Sequence, residues 1–413
     1  MRQVAGVAGW QVWKNRVQAL TSLAKGNPFW PKFVVERHSL EMAFCEAPQH
    51  IKNTGRCAWP PRTAEEYRLY CFVANIARVH EKLGEGGKAR LSGQIRSGLE
   101  KEFGLGPLDF EMKIAAHLMS RGFDVDFHDL ENGGGYDFLA ASDGSKIEVE
   151  CKYISGDTGR KIHRRKLFDL GGPLSPIMSR AVEGKQGGIH LRVDLPDRLH
   201  GSKEKQQAVA SQIQMALTDE IALENEVCGI SIERFDISSS LFSAERGTTI
   251  TEDDTREFCN VRGLESGHTF FRWTPGKTAI VVSFKSRKED IVLAKILERL
   301  KEDAKRQFTR QLPALICVHM ADLSEKQLLD IAEVDKSETP TGIRIVLSKL
   351  LRERPHVHTV ALMTDGSVRV EQNQIGNLCT NFTQETGPTY IVRNSDHPQA
   401  NDLVLKSVFA PLS

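Results

Sequence analysis

Between Tyr136 and Ser155 two runs of β-forming residues, YDFLAAS and KIEVECKYIS, are joined through Asp143-Gly144. Asp-Gly between such runs predicts a two-residue hairpin turn, because both turn positions need positive φ, which Asp tolerates and Gly adopts freely. With that pair as the loop, Ser142 stands opposite Ser145. The pairing then steps outward one residue at a time, until Asp137 faces Glu150. Directly opposed side chains share a face, with Cβ atoms about 4.5–5.5 Å apart. Alternation along the strand adds Glu148 and Lys152 to that face and turns Ile147, Val149, Cys151 and Tyr153 toward the core. Gly135 falls opposite Lys152 and leaves room for it.

Two carboxylates brought together in this way repel unless a cation lies between them. Oxygen ligands suit a hard ion such as Mg²⁺. Lys152, one strand step from Glu150, can offset the acids and stabilise charge growing on a phosphate. Metal, water and a cation at one spot are the requirements of phosphodiester hydrolysis. The plainer reading of Asp137, Glu150 and Lys152 is a surface ion-pair ladder. Against it, Val149 and Cys151 bracket Glu150 in a strand expected to be central. Glu148 reads as a solvated strand residue, and Cys151 as a core thiol facing away from the acids.

With 413 residues the chain has room for two or three domains. Residues 1–105 read as a mainly helical region, with Trp10, Trp13, Phe29 and Trp30 as packing anchors. Residues 106–225 hold a helix opening at Pro107, three strands, a basic helix over 159–182 and a strand over 187–196. Residues 226–413 form a C-terminal α/β domain of unassigned role. Its strands are TAIVVSFK, ALICVHMA and HTVALMTD, with helices over 288–307, 323–333 and 341–352 and a polar surface stretch over the last 40 residues. That half has no phosphate-binding glycine loop and no evident triad, which argues against an ATPase or a hydrolase of that kind. The sequence has no run of about 18 apolar residues, so no membrane span is expected. The eight cysteines form no CxxC pair, and a cytoplasmic protein with reduced thiols is expected. His356 and His358 read as strand-edge residues rather than as a metal site.

Asp137, twelve intervening residues and then Glu150-Cys151-Lys152 resemble the D-x(n)-E-x-K signature of the PD-(D/E)XK, or restriction-endonuclease-like, nucleases. The resemblance covers about residues 106–200. The expected order of elements is similar to that family's αβββαβ core, an α/β fold with a mixed sheet. Tyr136 precedes Asp137 where the signature has Pro. The resemblance implies that Asp137, Glu150 and the backbone carbonyl of Cys151 hold Mg²⁺ or Mn²⁺, with Lys152 as the catalytic cation. It also implies a further acid from the preceding helix, a place that Glu111 fits; the alternative for Glu111 is an acid favouring a helix N-terminus.

Net charge is only +1, so nucleic-acid contact has to come from local patches. The segment from Arg160 to Lys166, RKIHRRK, is one such patch. Arg160, Lys161, His163, Arg164 and Arg165 are expected to meet a phosphate backbone there, the plainer reading being a solvated helix face. Residues 1–35 hold five Lys and Arg and no acid, and remain open between the two readings. Together these features point to a metal-dependent nuclease; the resemblance implies a DNA endonuclease of restriction, repair or anti-phage type, with DNA favoured over RNA, and a homodimer is one arrangement for cutting two strands. The alternative is a non-catalytic nucleic-acid-binding or interaction protein that keeps the fold.

Overall fold

The computed structural model describes residues 9–25, 27, 29, 37–47, 63–101, 104–238, 241–246, 250–321, 323–336, 339–364, 369–372, 378–381 and 389–409. They fall into two compact units. The first is Met1–Ala19, Val35–Thr158 and Val292–Ser413; the second is Leu20–Val34 and Gly159–Ile291.

The strands, in chain order, begin with β1 (Asp124–Asp126), β2 (Phe138–Ser142) and β3 (Ser145–Ile154). The second unit supplies β4 (Gly187–Leu195), β5 (Leu223–Glu224), β6 (Gly229–Phe235), β7 (Thr269–Thr274) and β8 (Thr278–Ser286). The chain returns to the first unit for β9 (Ala314–Met320), β10 (Val357–Met363), β11 (Arg369–Gln372), β12 (Leu378–Asn381) and β13 (Tyr390–Arg393).

The first unit is built on a six-stranded mixed sheet of order β1-β2-β3-β9-β10-β13. β1, β2 and β3 form an antiparallel meander, β3, β9 and β10 run parallel, and β13 closes the edge antiparallel. The β2–β3 hairpin has the expected register, from Ser142 opposite Ser145 to Phe138 opposite Val149. Asp143 at φ 46 and Gly144 at φ 82 are both left-handed, as a two-residue turn of this twist requires.

Alternation along β3 sends its side chains to two separate cores. Val149 and Cys151 pack with Phe72, Leu91, Phe110 and Met112, which come from the helices Ala64–Lys82, Glu85–Glu100 and Gly106–Ser120. Ile154 packs on the opposite face with Leu300, Ala304, Leu347 and Leu350, from the helices Val292–Arg306 and Gly342–Glu353. Covered on both faces, the middle strands β9 and β10 are almost continuously buried, the reason for their unbroken apolar text.

Several sequence expectations are corrected here. The boundaries at 105 and 225 do not follow the compact units, because the helices of 64–100 supply one wall of the first unit's core. The basic helix, observed as Arg164–Gly184, and the strand expected over 187–196 both form, but in the second unit. The helix and parallel strand that follow β3 in the first unit's sheet are instead Val292–Arg306 and β9. The stretch 226–413 is divided between the units. The C-terminal stretch is not merely surface loop: β13 pairs with β10, and Leu405, Val408 and Phe409 are buried. The helix opening at Pro107 is buried on nearly all sides rather than along one stripe. Trp13 stacks on Phe44 at 3.9 Å and Phe29 meets Phe270 at 4.3 Å, while Trp30 lies outside the described residues.

The second unit carries a five-stranded sheet of order β5-β6-β4-β8-β7, in which only β4 and β8 run parallel. The helices Arg164–Gly184 and Lys203–Asp219 belong to it, and a cluster around Phe242, Val281 and Trp273 covers part of its sheet.

Candidate active site

Glu150 and Lys152 stand one strand step apart on the face of β3 that looks toward the helix Val292–Arg306. Burial of the neighbouring Val149 and Ile154 on opposite faces fixes this orientation. Glu150 is 2% exposed, and its Oε1 lies 2.5 Å from Lys152 Nζ. The same ammonium is 3.4 Å from Oδ1 of Asp303, in the last turn of that helix. Oε2 of Glu150 and Oδ2 of Asp303 are buried without a hydrogen-bond partner.

Asp137 lies one residue beyond the end of the β2–β3 ladder, so it is not the direct cross-strand partner expected for Glu150. Its N–H donates to Val149 O at 3.1 Å, a slip from the ladder's register. The slip lets its Oδ2 accept the Cys151 N–H at 2.6 Å. In a strand the N–H and C=O of one residue point to the same edge. The Cys151 carbonyl therefore faces the gap beside Asp137 that opens where the ladder stops.

Glu111 sits in the second turn of the helix Gly106–Ser120, half-buried, past the first turn where an acid merely offsets the helix dipole. Burial, with Asp129 and Glu150 nearby, pushes its carboxyl up to about 8 against the opposing pull of Lys152. Burial and the charge of Asp137 likewise raise Glu150 to about 8. Asp137 is raised well above the usual carboxylate range by burial and by Glu111, in spite of the bond from Cys151 N–H. Burial alone would lower Lys152, but Glu150, Asp303 and Asp137 outweigh it and hold the ammonium protonated. The four residues singled out in the sequence thus act on one another's charge at one place.

The sequence reading missed Asp129 and Asp303. Asp303 had a signal: it interrupts the helical stripe of Ile296, Leu300 and Ala304 with an acid. Asp129 had none, because its position depends on the short helix His128–Asn132 that replaces part of the expected first strand. Glu148 is corrected from solvated to fully buried: its carboxylate accepts from the N–H and hydroxyl of Thr309 and so fixes the turn before β9. Gly135 is used differently too. At φ +89 it approaches the His128 ring, which a Cβ would meet at 3.1 Å.

The side-chain donors are carboxylates, the type that suits a hard divalent cation, and of the proposed ligands Glu150 has one oxygen, Oε2, buried without a partner. In the arrangement described, Glu150 Oε1 is engaged by Lys152 and Asp137 Oδ2 by Cys151. Among the described residues no group of three or more His, Cys, Asp and Glu side chains is arranged to hold a metal ion.

The basic segment belongs to the second unit. Arg160 pairs with Glu265 at 2.8 Å and lies 3.6 Å from Asp290, and Lys161 pairs with Asp197 at 3.2 Å. Both are thus occupied by acids of their own unit. His163 caps the helix that Arg164 and Arg165 open. His356 and His358 make hydrogen bonds to the carbonyls of Ala304 and Gln399, a structural use. Among the described residues no helix is long and apolar enough to cross a membrane. Compared with known proteins, the chain matches no family model, no curated protein and no solved structure.

Proposed function

We propose that the protein is a divalent-metal-dependent nuclease that hydrolyses DNA phosphodiesters, with a site of the PD-(D/E)XK kind at Glu111, Asp137, Glu150 and Lys152. The observation that carries this reading is the buried Glu150–Lys152 pair at 2.5 Å on the central strand, with Asp137 bonded to the intervening Cys151 N–H where the hairpin ladder ends and Glu111 within electrostatic reach. The helix Gly106–Ser120, the strands β1 to β3, the helix Val292–Arg306 and β9 supply an αβββαβ order, with the second unit inserted after the third strand.

In this reading Asp137, Glu150, the Cys151 carbonyl and Glu111 would hold Mg²⁺ or Mn²⁺, which would supply Lewis acidity to the scissile phosphate. Lys152 keeps its proton at Nζ and stabilises the negative charge that develops on the phosphate oxygens. A carboxylate oxygen of Glu150 left free of the cation accepts the proton of an attacking water. Burial among the walls of the sheet strengthens each of these interactions relative to water. Arg164 and Arg165, with Lys166, open the helix Arg164–Gly184, and in this reading they meet the DNA backbone.

Plasmid, single-stranded DNA and RNA incubated with Mg²⁺ or EDTA, beside Lys152→Ala, test the proposal. The expected result is DNA cutting that needs the metal and falls by about 10²–10³-fold in the variant. Undiminished cutting by Lys152→Ala would sink the assignment. Binding without cutting, unchanged in the variant, would favour a non-catalytic protein that keeps the fold, the reading supported by the lack of a closed metal-ligating group among the described residues.

A further inference from the structure

Asp303 is an unusual residue for its place. It lies in the last turn of the helix Val292–Arg306, where the helix dipole disfavours an acid, and it interrupts a buried stripe of Ile296, Leu300 and Ala304. Local rules are broken in this way mostly where a site requires it. Its Oδ1 is 3.4 Å from Lys152 Nζ, while its Oδ2 is buried without a partner. On the other side of the same ammonium, Glu150 Oε1 is at 2.5 Å and Glu150 Oε2 is also buried without a partner. Lys152 is therefore held between a strand carboxylate and a helix carboxylate, and each of the two has an oxygen to spare.

A cation that draws on Glu150 competes with Lys152 for the same carboxylate. Left without a counter-charge beside a divalent ion, the ammonium would be pushed out of the site. We infer that Asp303 is the positioning residue that takes over Lys152 when Glu150 engages a cation, keeping the ammonium at the reaction centre. This inference rests on the metal-dependent reading of the site. The geometry suits it: Asp303 approaches from the helix wall, opposite the strand that carries Glu150, so the exchange needs a shift of the lysine terminus and no movement of the backbone.

The reactivity of Lys152 toward a small amine-acylating reagent, read by mass spectrometry on the full chain, reports where the ammonium is held. The wild type should be protected in EDTA and in Mn²⁺. Asp303→Asn should be protected in EDTA, where Glu150 still holds the lysine, and should label at least about 10-fold faster in saturating Mn²⁺, with kcat on DNA down by about 10–100-fold. Asp303→Glu should restore both. Asp303→Ser repeats the comparison if the amide disturbs packing, with melting in EDTA as the folding control. Lys152 labelling unchanged by Mn²⁺ in Asp303→Asn would overturn the inference, as would acceleration to the same extent with and without the ion, the result for a plain structural ion pair. Absence of calorimetric Mn²⁺ binding by the wild type would sink the metal-dependent reading and this inference together. Normal wild-type binding with unaltered labelling in the variant would sink this inference alone.

Discussion

Two acids on one helix, Asp109 and Glu111, have opposite surroundings. Asp109 is 1% exposed and answered by two cations, Arg68 at 2.9 Å and Lys113 at 2.8 Å. Glu111, two residues later, lies within the electrostatic reach of Asp129 and Glu150, with Lys152 as the cation acting against them. The first cluster answers one acid with two cations, both at Oδ2, while Oδ1 is buried without a hydrogen-bond partner, and it ties the helix Gly106–Ser120 to the helix Ala64–Lys82. In the second, burial first and the neighbouring acids next raise the carboxyls against the pull of Lys152, so they resist ionisation. Burial is common to both, and compensation is what differs. A buried acid held for structure is matched by cations, whereas a carboxyl cluster left short of positive charge keeps its acids protonated more readily.

Removing a cation from the first cluster should have the largest effect on stability. Lys113→Met leaves Asp109 buried with half its compensation, and the unfolding free energy from urea titration should fall by about 3 kcal/mol. If the change is neutral, Arg68 alone suffices for Asp109 and Lys113 is not part of the tie.

The deficient cluster should respond with the opposite sign. The folded-state pKa of Glu150, about 8, lies above its ordinary value, so the folded protein binds more protons than the unfolded chain between about pH 4.5 and 8. Stability without metal is therefore greatest below that window and is lost as pH rises through it. Glu150→Gln, which cannot ionise, should gain about 2 kcal/mol over the wild type at pH 8 in EDTA and lose the advantage near pH 4.5. Melting curves across this range check the sign; a variant less stable at pH 8 would show that the carboxylate is compensated after all.

The smallest effect is expected in the second unit. Arg160 and Lys161 pair with acids of their own unit, and under the proposed nuclease reading Arg165, in the first turn of the helix Arg164–Gly184, is the residue of this segment to test for DNA contact. Arg165→Ala should reduce the slope of log affinity for duplex DNA against log salt by about one. An unaltered slope would remove that residue from the interface.

Local chemistry made much of the site readable in advance. Asp143-Gly144 admits one tight turn, the turn fixes the register, and the register aligns β2 with β3 and puts Glu150 and Lys152 on one face. Helical periodicity likewise located the helix that carries Glu111. The same reasoning failed one residue past the ladder, where Asp137 slips register and bonds to Cys151, because strand alternation holds only while both strands keep pairing. It misjudged Glu148 as well, since the Thr309 turn that buries it is 161 residues away in the chain.

Tertiary structure alone decided which helix and strand complete the central sheet. Residues 159–196 and 292–320 both read as a helix followed by a buried strand, and periodicity does not say which strand lies beside β3. Pairing with β3 and packing over Ile154 select the second of these, and that choice brings Asp303 to Lys152. The turn and the face are encoded within a few residues by backbone sterics. The partner across the sheet is set by burial of distant side chains, which becomes defined only when the chain has closed on itself.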